Sequence, residues 1–308
     1  MKCICGADTA QTLIQKDIPQ PSPQAGEVLI GVHAAGMTSS ELAWYPTSRA
    51  KEGGKRAAAA PSHELSGEIA GLGEGVEDLS IGQEVYGTND WFADGALAKF
   101  CITRPGWIAP KPRSLSHAEA ASLPISALTA QQGLFDRAHL RSGERVFLIH
   151  GGAGAVGTLA IQFAHRAGAH VLTTVSARNI EFVKALGADE AIDYKASPFE
   201  KIARDIDVVF DAVGGETLER SWNVLKKNGR LVTIASGAES SPADDRVKNA
   251  FFIVEPNRQQ LIEVAELIDQ GTFRPVVDTI LPFSQAPLTY AGKVAKKGRG
   301  RLVVAVTG

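Results

Sequence analysis

The chain has 308 residues, 44% hydrophobic and 21% charged, enough apolar material for about two domains at the usual ~100–200 residues each. With 32 lysines and arginines against 34 aspartates and glutamates, the net charge of −2 gives no general attraction to nucleic acid or an anionic membrane, so neither is an expected partner. No apolar run approaches the ~20 residues that span a bilayer, the start MKCICGADTA lacks the layout of a secretory signal, and Cys3, Cys5 and Cys101 form no C-x-x-C pair; the expected compartment is a reducing cytoplasm.

Residues 1–115 read as a β-rich region, with short apolar stretches at Glu27–Val32, Glu68–Leu72 and Gln83–Tyr86 separated by Gly, Pro and Asp. The Pro-rich run at 19–23 breaks any helix there. Ser116-His-Ala-Glu119 has capping-box spacing and opens a helix that Pro124 interrupts, with a second helical stretch from Ser126 to about Arg137. At Arg145–His150 the pattern changes to a continuous apolar run of strand length, followed by a glycine cluster. An apolar stripe (Val156, Leu159, Ala160, Phe163, Ala164, Ala167) then marks a helix stopped by Gly168. His170–Val175, Ile206–Phe210 and Arg230–Ile234 read as further strands, with helices at Asn179–Leu186 and Glu216–Lys227. Strands alternating with helices and apolar on both faces predict a doubly wound α/β domain with a parallel sheet. Toward the end, Leu261, Val264, Ala265 and Ile268 share a helix face, and the final strand Leu302–Val306 needs a partner in the N-terminal β-region.

Gly152-Ala153-Gly154-Ala155-Val156-Gly157 satisfies G-x-G-x-x-G, directly after a strand and opening a helix, which is the context the motif requires. Its glycines allow a tight turn, backbone approach to a pyrophosphate and close helix–sheet packing, and the helix N-terminus favours an anion. An NAD site places an acid about 20 residues on. Here the second strand ends Thr173-Thr-Val-Ser176-Ala-Arg178-Asn179 without one. Arg178 can pair with a 2′-phosphate and Ser176 can donate to it, with Tyr194 a further candidate on that rim, so the expected cofactor is NADPH. The alternative for Arg178 is a surface residue that merely opens a helix.

Several motifs together resemble the medium-chain dehydrogenase/reductase superfamily, in its zinc-free quinone oxidoreductase (zeta-crystallin-like) branch. They are Ala35-Gly36-Met37-Thr38, Pro61-Ser-His63-Glu64-Leu-Ser-Gly67, Leu123–Ala130, Gly151–Gly157, Leu186–Asp189, Asp207–Gly215 and Gly298-Arg-Gly-Arg301. The resemblance implies a GroES-like β-rich substrate domain at 1–124, completed by 256–308, and a Rossmann NADP-binding domain at 125–255. It also implies a homodimer, a nicotinamide cofactor, and an NADPH-dependent reductase of a small-molecule quinone, enone or enal. Ala212 and Val213 follow one strand end and Ala235 and Ser236 the next, as cofactor contacts do in such sheets. Phe251–Val254, with Phe252 and Val254, resembles the segment whose backbone holds the carboxamide; a plain domain-crossing strand is the alternative.

The zinc branch of the superfamily holds its catalytic metal with two cysteines and a histidine. This chain keeps His63 at the second position, but Thr38 and the region of Ile125 stand at the others, so no catalytic metal is expected. His63 is then either a hydrogen-bonded wall residue or a polar contact in the substrate pocket, and a buried Glu64 must be paired or protonated. Hydride transfer to a conjugated acceptor needs alignment and hydrogen bonds to the developing oxyanion, for which Thr38, Tyr45 and Thr129 are the candidate donors. Trp44 and Tyr45 either stack on a flat substrate or cover a seam. The competing readings are a non-enzymatic NADPH-binding protein, structural or redox-sensing, and an alcohol dehydrogenase-like enzyme.

Overall fold

The computed structural model describes residues 1–308 apart from 8–9, 39, 55, 57–58, 150, 236, 238–244 and 308. The chain forms two compact units, Met1–Ile125 with Pro256–Lys297 and Arg301–Gly308, and Ser126–Glu255 with Gly298–Gly300.

The first unit is built on a sheet in which Val277–Pro282, Arg301–Ala305, Val28–Met37, Glu64–Leu72, Glu84–Thr88 and Ile108–Pro110 are successive neighbours, and Phe100–Thr103 also pairs with Val28–Met37. The C-terminal strand Arg301–Ala305 joins it antiparallel to Val28–Met37, with Leu302 opposite Met37. Apolar residues expected as a strand at Glu27–Val32 prove to be the first half of a longer one. A register shift between Val32 and Ala34 lets it continue past the polar His33. The small residues that follow suit close packing, since a side chain at Gly36 would run into the Ala121 carbonyl oxygen and the Glu64 carboxylate, each about 2.5 Å from it. Ile4, Val28, Ile30, Val32, Leu65, Ile69, Val85, Ile108 and Val304 fill the core. The helix Arg258–Asp269 starts where the Asn257 side chain accepts from the Gln260 amide at 3.0 Å, and it buries Leu261, Val264 and Ile268 as their spacing predicts. The Tyr86 hydroxyl, fully buried, donates to the Leu261 carbonyl at 2.5 Å and ties this helix to the sheet.

The second unit is a five-stranded parallel sheet ordered Glu190–Asp193, His170–Val175, Arg145–Ile149, Ile206–Asp211, Leu225–Thr233. In sequence terms this is 3-2-1-4-5, the Rossmann order, with the reversal beside Arg145–Ile149. The expected helix through Lys227 is shorter: Gly215–Ser221 is helical, a tight turn covers Trp222–Val224, and Leu225 is already opposite Ile206 in the sheet. Lys226 and Lys227, expected at the end of that helix, are with Asn228 exposed residues of an irregular strand, where sheet pairing outweighs local propensity. Phe251–Val254 is not a full strand, because only Phe251 bridges to Thr233.

Tyr86→Phe leaves the Leu261 carbonyl without its buried donor, and the unfolding free energy of the chain is expected to fall by about 1–3 kcal/mol, read from the urea midpoint at unchanged slope.

Candidate functional site

The glycine turn sits at the reversal of strand order. A methyl group at Gly152 would overlap Thr173 Oγ1, and one at Gly157 would overlap the Gly151 carbonyl oxygen. With hydrogen at both positions, the helix Ala155–Arg166 packs down onto the turn and directs its first amides at it. Those amides lack intrahelical acceptors and carry the positive end of the helix dipole. The turn is braced from the tail of the chain, where the Gly300 amide donates to the Ala153 carbonyl at 2.8 Å and Gly154 bridges Gly300. Gly152, Ala153 and Gly157 are buried, and Gly154, Ala155 and Val156 are half-buried.

On one side of the turn lies the end of the second strand. Ser176 is half-buried, its hydroxyl accepting from the Asn179 amide group at 3.4 Å, and the Arg178 side chain is exposed. Arg299, quoted in a motif but not singled out from sequence, completes this rim. Its guanidinium donates to Asn179 Oδ1 at 2.8 Å and to the Arg178 carbonyl at 3.0 Å, and lies 4.5 Å from the centre of the Phe182 ring. Tyr194 is 43% exposed beyond the next strand, its amide bonded to the Val175 carbonyl.

On the other side, the buried Asp211 organises the loop after the fourth strand. Its carboxylate accepts from the amides of Val213 (3.0 Å) and Gly214 (3.0 Å) and from the Thr233 hydroxyl (2.7 Å). Thr233 Oγ1 in turn accepts from the Ala235 amide at 3.1 Å. Ala212 and Val213 are thereby presented at the strand end, with Val213 47% exposed, while Ala235 is buried. Ser236 lies outside the described residues. Phe252 is buried beside the Arg137 guanidinium, and Val254 is half-buried. Thr129 is buried in the helix Pro124–Gln131. A pyrophosphate suits this turn, because the first amides of the helix face it. A 2′-phosphate suits the Arg178 rim, where residues 173–179 hold a guanidinium and no acid.

The first unit holds a second group of polar residues, of which Glu41, His63, Glu64, Asn89 and Arg301 are buried. The Asn89 amide group donates to the Asp94 carbonyl, so its oxygen accepts from His63 Nδ1 at 2.8 Å and fixes the proton there. His63 Nε2 makes no hydrogen bond and stands 3.5 Å from Glu41 Oε1, under the edge of Trp91. Burial pushes the imidazole pKa down to about 4, so the ring is neutral at pH 7. Glu41 accepts from the Ser62 amide at 2.7 Å and the Tyr290 hydroxyl at 3.1 Å, yet burial still pushes its pKa up to about 8. Glu64 accepts the Ile125 amide at 3.0 Å and forms an ion pair with Arg301 Nε at 2.7 Å, without the alignment of a hydrogen bond; burial nonetheless holds its pKa above the usual range. Arg301 also donates to Thr38 Oγ1 at 2.7 Å. Trp44 meets Trp91 edge-on, with ring centres 6.1 Å apart. Tyr45 begins the short helix Tyr45–Ser48, and its side chain lies outside the described set.

These donors do not fit a catalytic zinc. Position 38 is a hydroxyl already under a guanidinium, position 125 is an isoleucine, and His63 with Glu41 makes two donors where three are needed.

A Rossmann-ordered sheet with a glycine turn at its reversal, together with a β-rich unit, places the protein in the class of two-unit dinucleotide-binding folds. The description "Zinc-binding dehydrogenase" matches residues 186–304, and "Alcohol dehydrogenase GroES-like domain" matches residues 24–113. A probable zinc-binding oxidoreductase, mitochondrial, of Arthroderma benhamiae is 33% identical over 97% of this chain and 94% of its own length. An NADPH-dependent alkenal/one oxidoreductase, chloroplastic, of Arabidopsis thaliana is 31% identical over 94% of this chain and 75% of its own. The structure of the quinone oxidoreductase from Coxiella burnetii superimposes with a TM-score of 0.88 at 30% identity, covering 100% of this chain and 99% of that one. The chain belongs to the medium-chain dehydrogenase/reductase superfamily, in its quinone oxidoreductase-like branch.

Two outcomes are expected. The depressed His63 pKa means that the unfolded chain binds a proton below about 6.5 that the native chain refuses until about 4. This contribution to stability is complete above pH 6.5 and is lost as pH falls toward 4, at up to about 1.4 kcal/mol per pH unit. In urea titrations over that window, His63→Gln flattens the slope. Separately, Arg301→Met strands Glu64 and is expected to destabilise by about 3–5 kcal/mol, whereas the double variant with Glu64→Leu recovers most of the loss in the same titration.

Proposed function

We propose that this chain is a zinc-independent reductase that uses NADPH to deliver hydride to a quinone or an α,β-unsaturated carbonyl compound. The support is of two kinds. The relatives described above include a protein named for NADPH and alkenals or alkenones and another named a quinone oxidoreductase. In this chain itself, the observation that carries the reading is the pair of arginines, Arg178 and Arg299, on the rim beside the glycine turn.

In this reading Ser126–Glu255 with Gly298–Gly300 is the NADPH unit and the remainder is the substrate unit. The amides of Gly152–Gly157 and the helix N-terminus hold the pyrophosphate. Arg178, assisted by Ser176 and Tyr194, pairs with the 2′-phosphate, and Arg299 keeps the Arg178 backbone in place. Ala212, Val213 and Ala235 line the strand ends, and the backbone of Phe252 and Val254 receives the carboxamide. When bound, the nicotinamide supplies the hydride. Thr38 in the first unit and Thr129 in the second carry hydroxyls suited to donate a hydrogen bond to a developing oxyanion. Arg301 occupies a lone pair of Thr38 Oγ1, which makes that hydroxyl a stronger donor and leaves its proton available. His63, neutral and locked by Asn89, serves as a polar wall residue rather than a proton source. Zinc independence rests on the poor donor set at positions 38 and 125.

Arg178→Glu replaces a charge-assisted contact with a repulsive one. The KM for NADPH is expected to rise about 10- to 100-fold, with NADH little changed, in oxidation assays with a panel of quinones and enones containing EDTA. Equal effects on both cofactors would defeat the phosphate assignment. Tight NADPH binding with no turnover of any acceptor would instead establish a non-enzymatic nucleotide-binding role.

A further inference from the structure

A second cluster of chemistry-bearing side chains lies on the β-sheet of the first unit, among residues that play no part in the nucleotide site or the His63 group. Glu68 and Glu84 are direct partners across neighbouring antiparallel strands. Two carboxylates placed opposite one another repel, and such pairs cost stability unless a cation lies between them. His33 sits at the register shift of the adjacent strand, between Val32 and Ala34, and its Nε2 is 3.7 Å from Glu68 Oε1. His117, which opens the helix His117–Ala120, stacks on His33 with ring centres 4.3 Å apart, and its Nε2 is 3.1 Å from Glu84 Oε1. One ligand atom from each of His33, Glu68 and His117 lies within 4.8 Å of the others.

We propose that His33, Glu68 and His117 form a site for a divalent transition cation of the zinc type, with Glu84 at its edge. Two imidazoles and a carboxylate are the donors that borderline cations prefer over calcium or magnesium, and three protein ligands leave room for water. The surroundings already contain the outer partner that such a histidine needs. Ser66 Oγ is 2.8 Å from His117 Nδ1 and 3.0 Å from the Val85 carbonyl. His117 Nε2 faces Glu84 Oε1 at 3.1 Å, a contact in which the ring nitrogen donates. A cation entering the site displaces that proton. Ser66 Oγ, with its own proton on Val85, can then accept Nδ1–H as the outer partner of a metal-bound histidine. Lys111, 3.3 Å from Glu84, competes for that carboxylate, which is why Glu84 stands at the edge rather than among the ligands. A cation here would join two strands and the His117–Ala120 helix, so binding raises the melting temperature.

The test is titration of the EDTA-treated, desalted chain with zinc chloride, followed by calorimetry and by thermal melting. The wild type is expected to bind one ion and to melt higher with zinc. The double variant His33→Gln/His117→Gln is expected to lose the thermal shift and to bind at least about tenfold more weakly, and Glu68→Gln to weaken binding in the same direction. His63→Gln is expected to keep the site, which separates it from the group around Thr38. NADPH binding is expected to be unaltered in the double variant, so the outcome does not depend on the proposed function. Wild-type zinc binding undiminished in the double variant, loss of binding in His63→Gln alone, or no saturable zinc binding by the wild type would each overturn the proposal.

Discussion

The helix Ala155–Arg166 approaches the sheet so closely that no side chain fits at Gly157, where it would strike the Gly151 carbonyl oxygen. That contact between backbones is the constraint on which the rest of the second unit depends. It points the free amides of the helix at the turn, and it brings the turn into reach of the Gly300 amide. Once Gly300 is bonded there, Arg299 falls beside Asn179 and the Arg178 carbonyl. A neutral, dipolar cradle and a cationic rim are therefore products of a single packing requirement, although their residues are separated by well over a hundred positions in the chain.

The first unit solves a different problem, that of burying charge. Glu41, Glu64, His63 and Arg301 are all at least nine-tenths buried, where an unpaired ion would be costly. Three of them avoid the cost by different means. His63 stays neutral, and burial moves Glu41 to about 8, so it is protonated over most of the physiological range. Glu64 is held against Arg301, which also reaches Thr38. The guanidinium gives this group a fixed positive charge with five N–H donors in a rigid plane, so the Thr38 hydroxyl is oriented without a metal ligand set. Replacing both members of such a pair by apolar residues is often neutral, whereas removing one leaves the other as an unmatched buried charge.

Much of this was legible in the sequence because it rests on local signals. The parallel sheet follows from uninterrupted apolar runs, and the helix Arg258–Asp269 from the spacing of Leu261, Val264 and Ile268 with Asn257 at its start. The capping box at Ser116 and Glu119 is formed as its spacing requires, although the helix it opens has only four residues. The errors also have local causes. The apolar pattern runs the helix on through Lys227, and only the pairing of Leu225 with Ile206 assigns Lys226 and Lys227 to a strand. The strand expected over Glu27–Val32 stops short of its full length, because a register shift in the sheet is invisible to an apolar pattern.

Sequence alone determined the two fold classes, the place of the glycine turn and the lack of an acid after the second strand, because each depends on residues near one another in the chain. The tertiary structure decided which distant residues complete them. Arg299 meets the rim, Asp211 organises the loop after its strand, Arg301 meets Thr38 and Glu64, Trp91 meets Trp44, and His33 meets His117. Those meetings are set by strand register and by where the tail re-enters the fold, and neither quantity leaves a periodic trace in the amino-acid order.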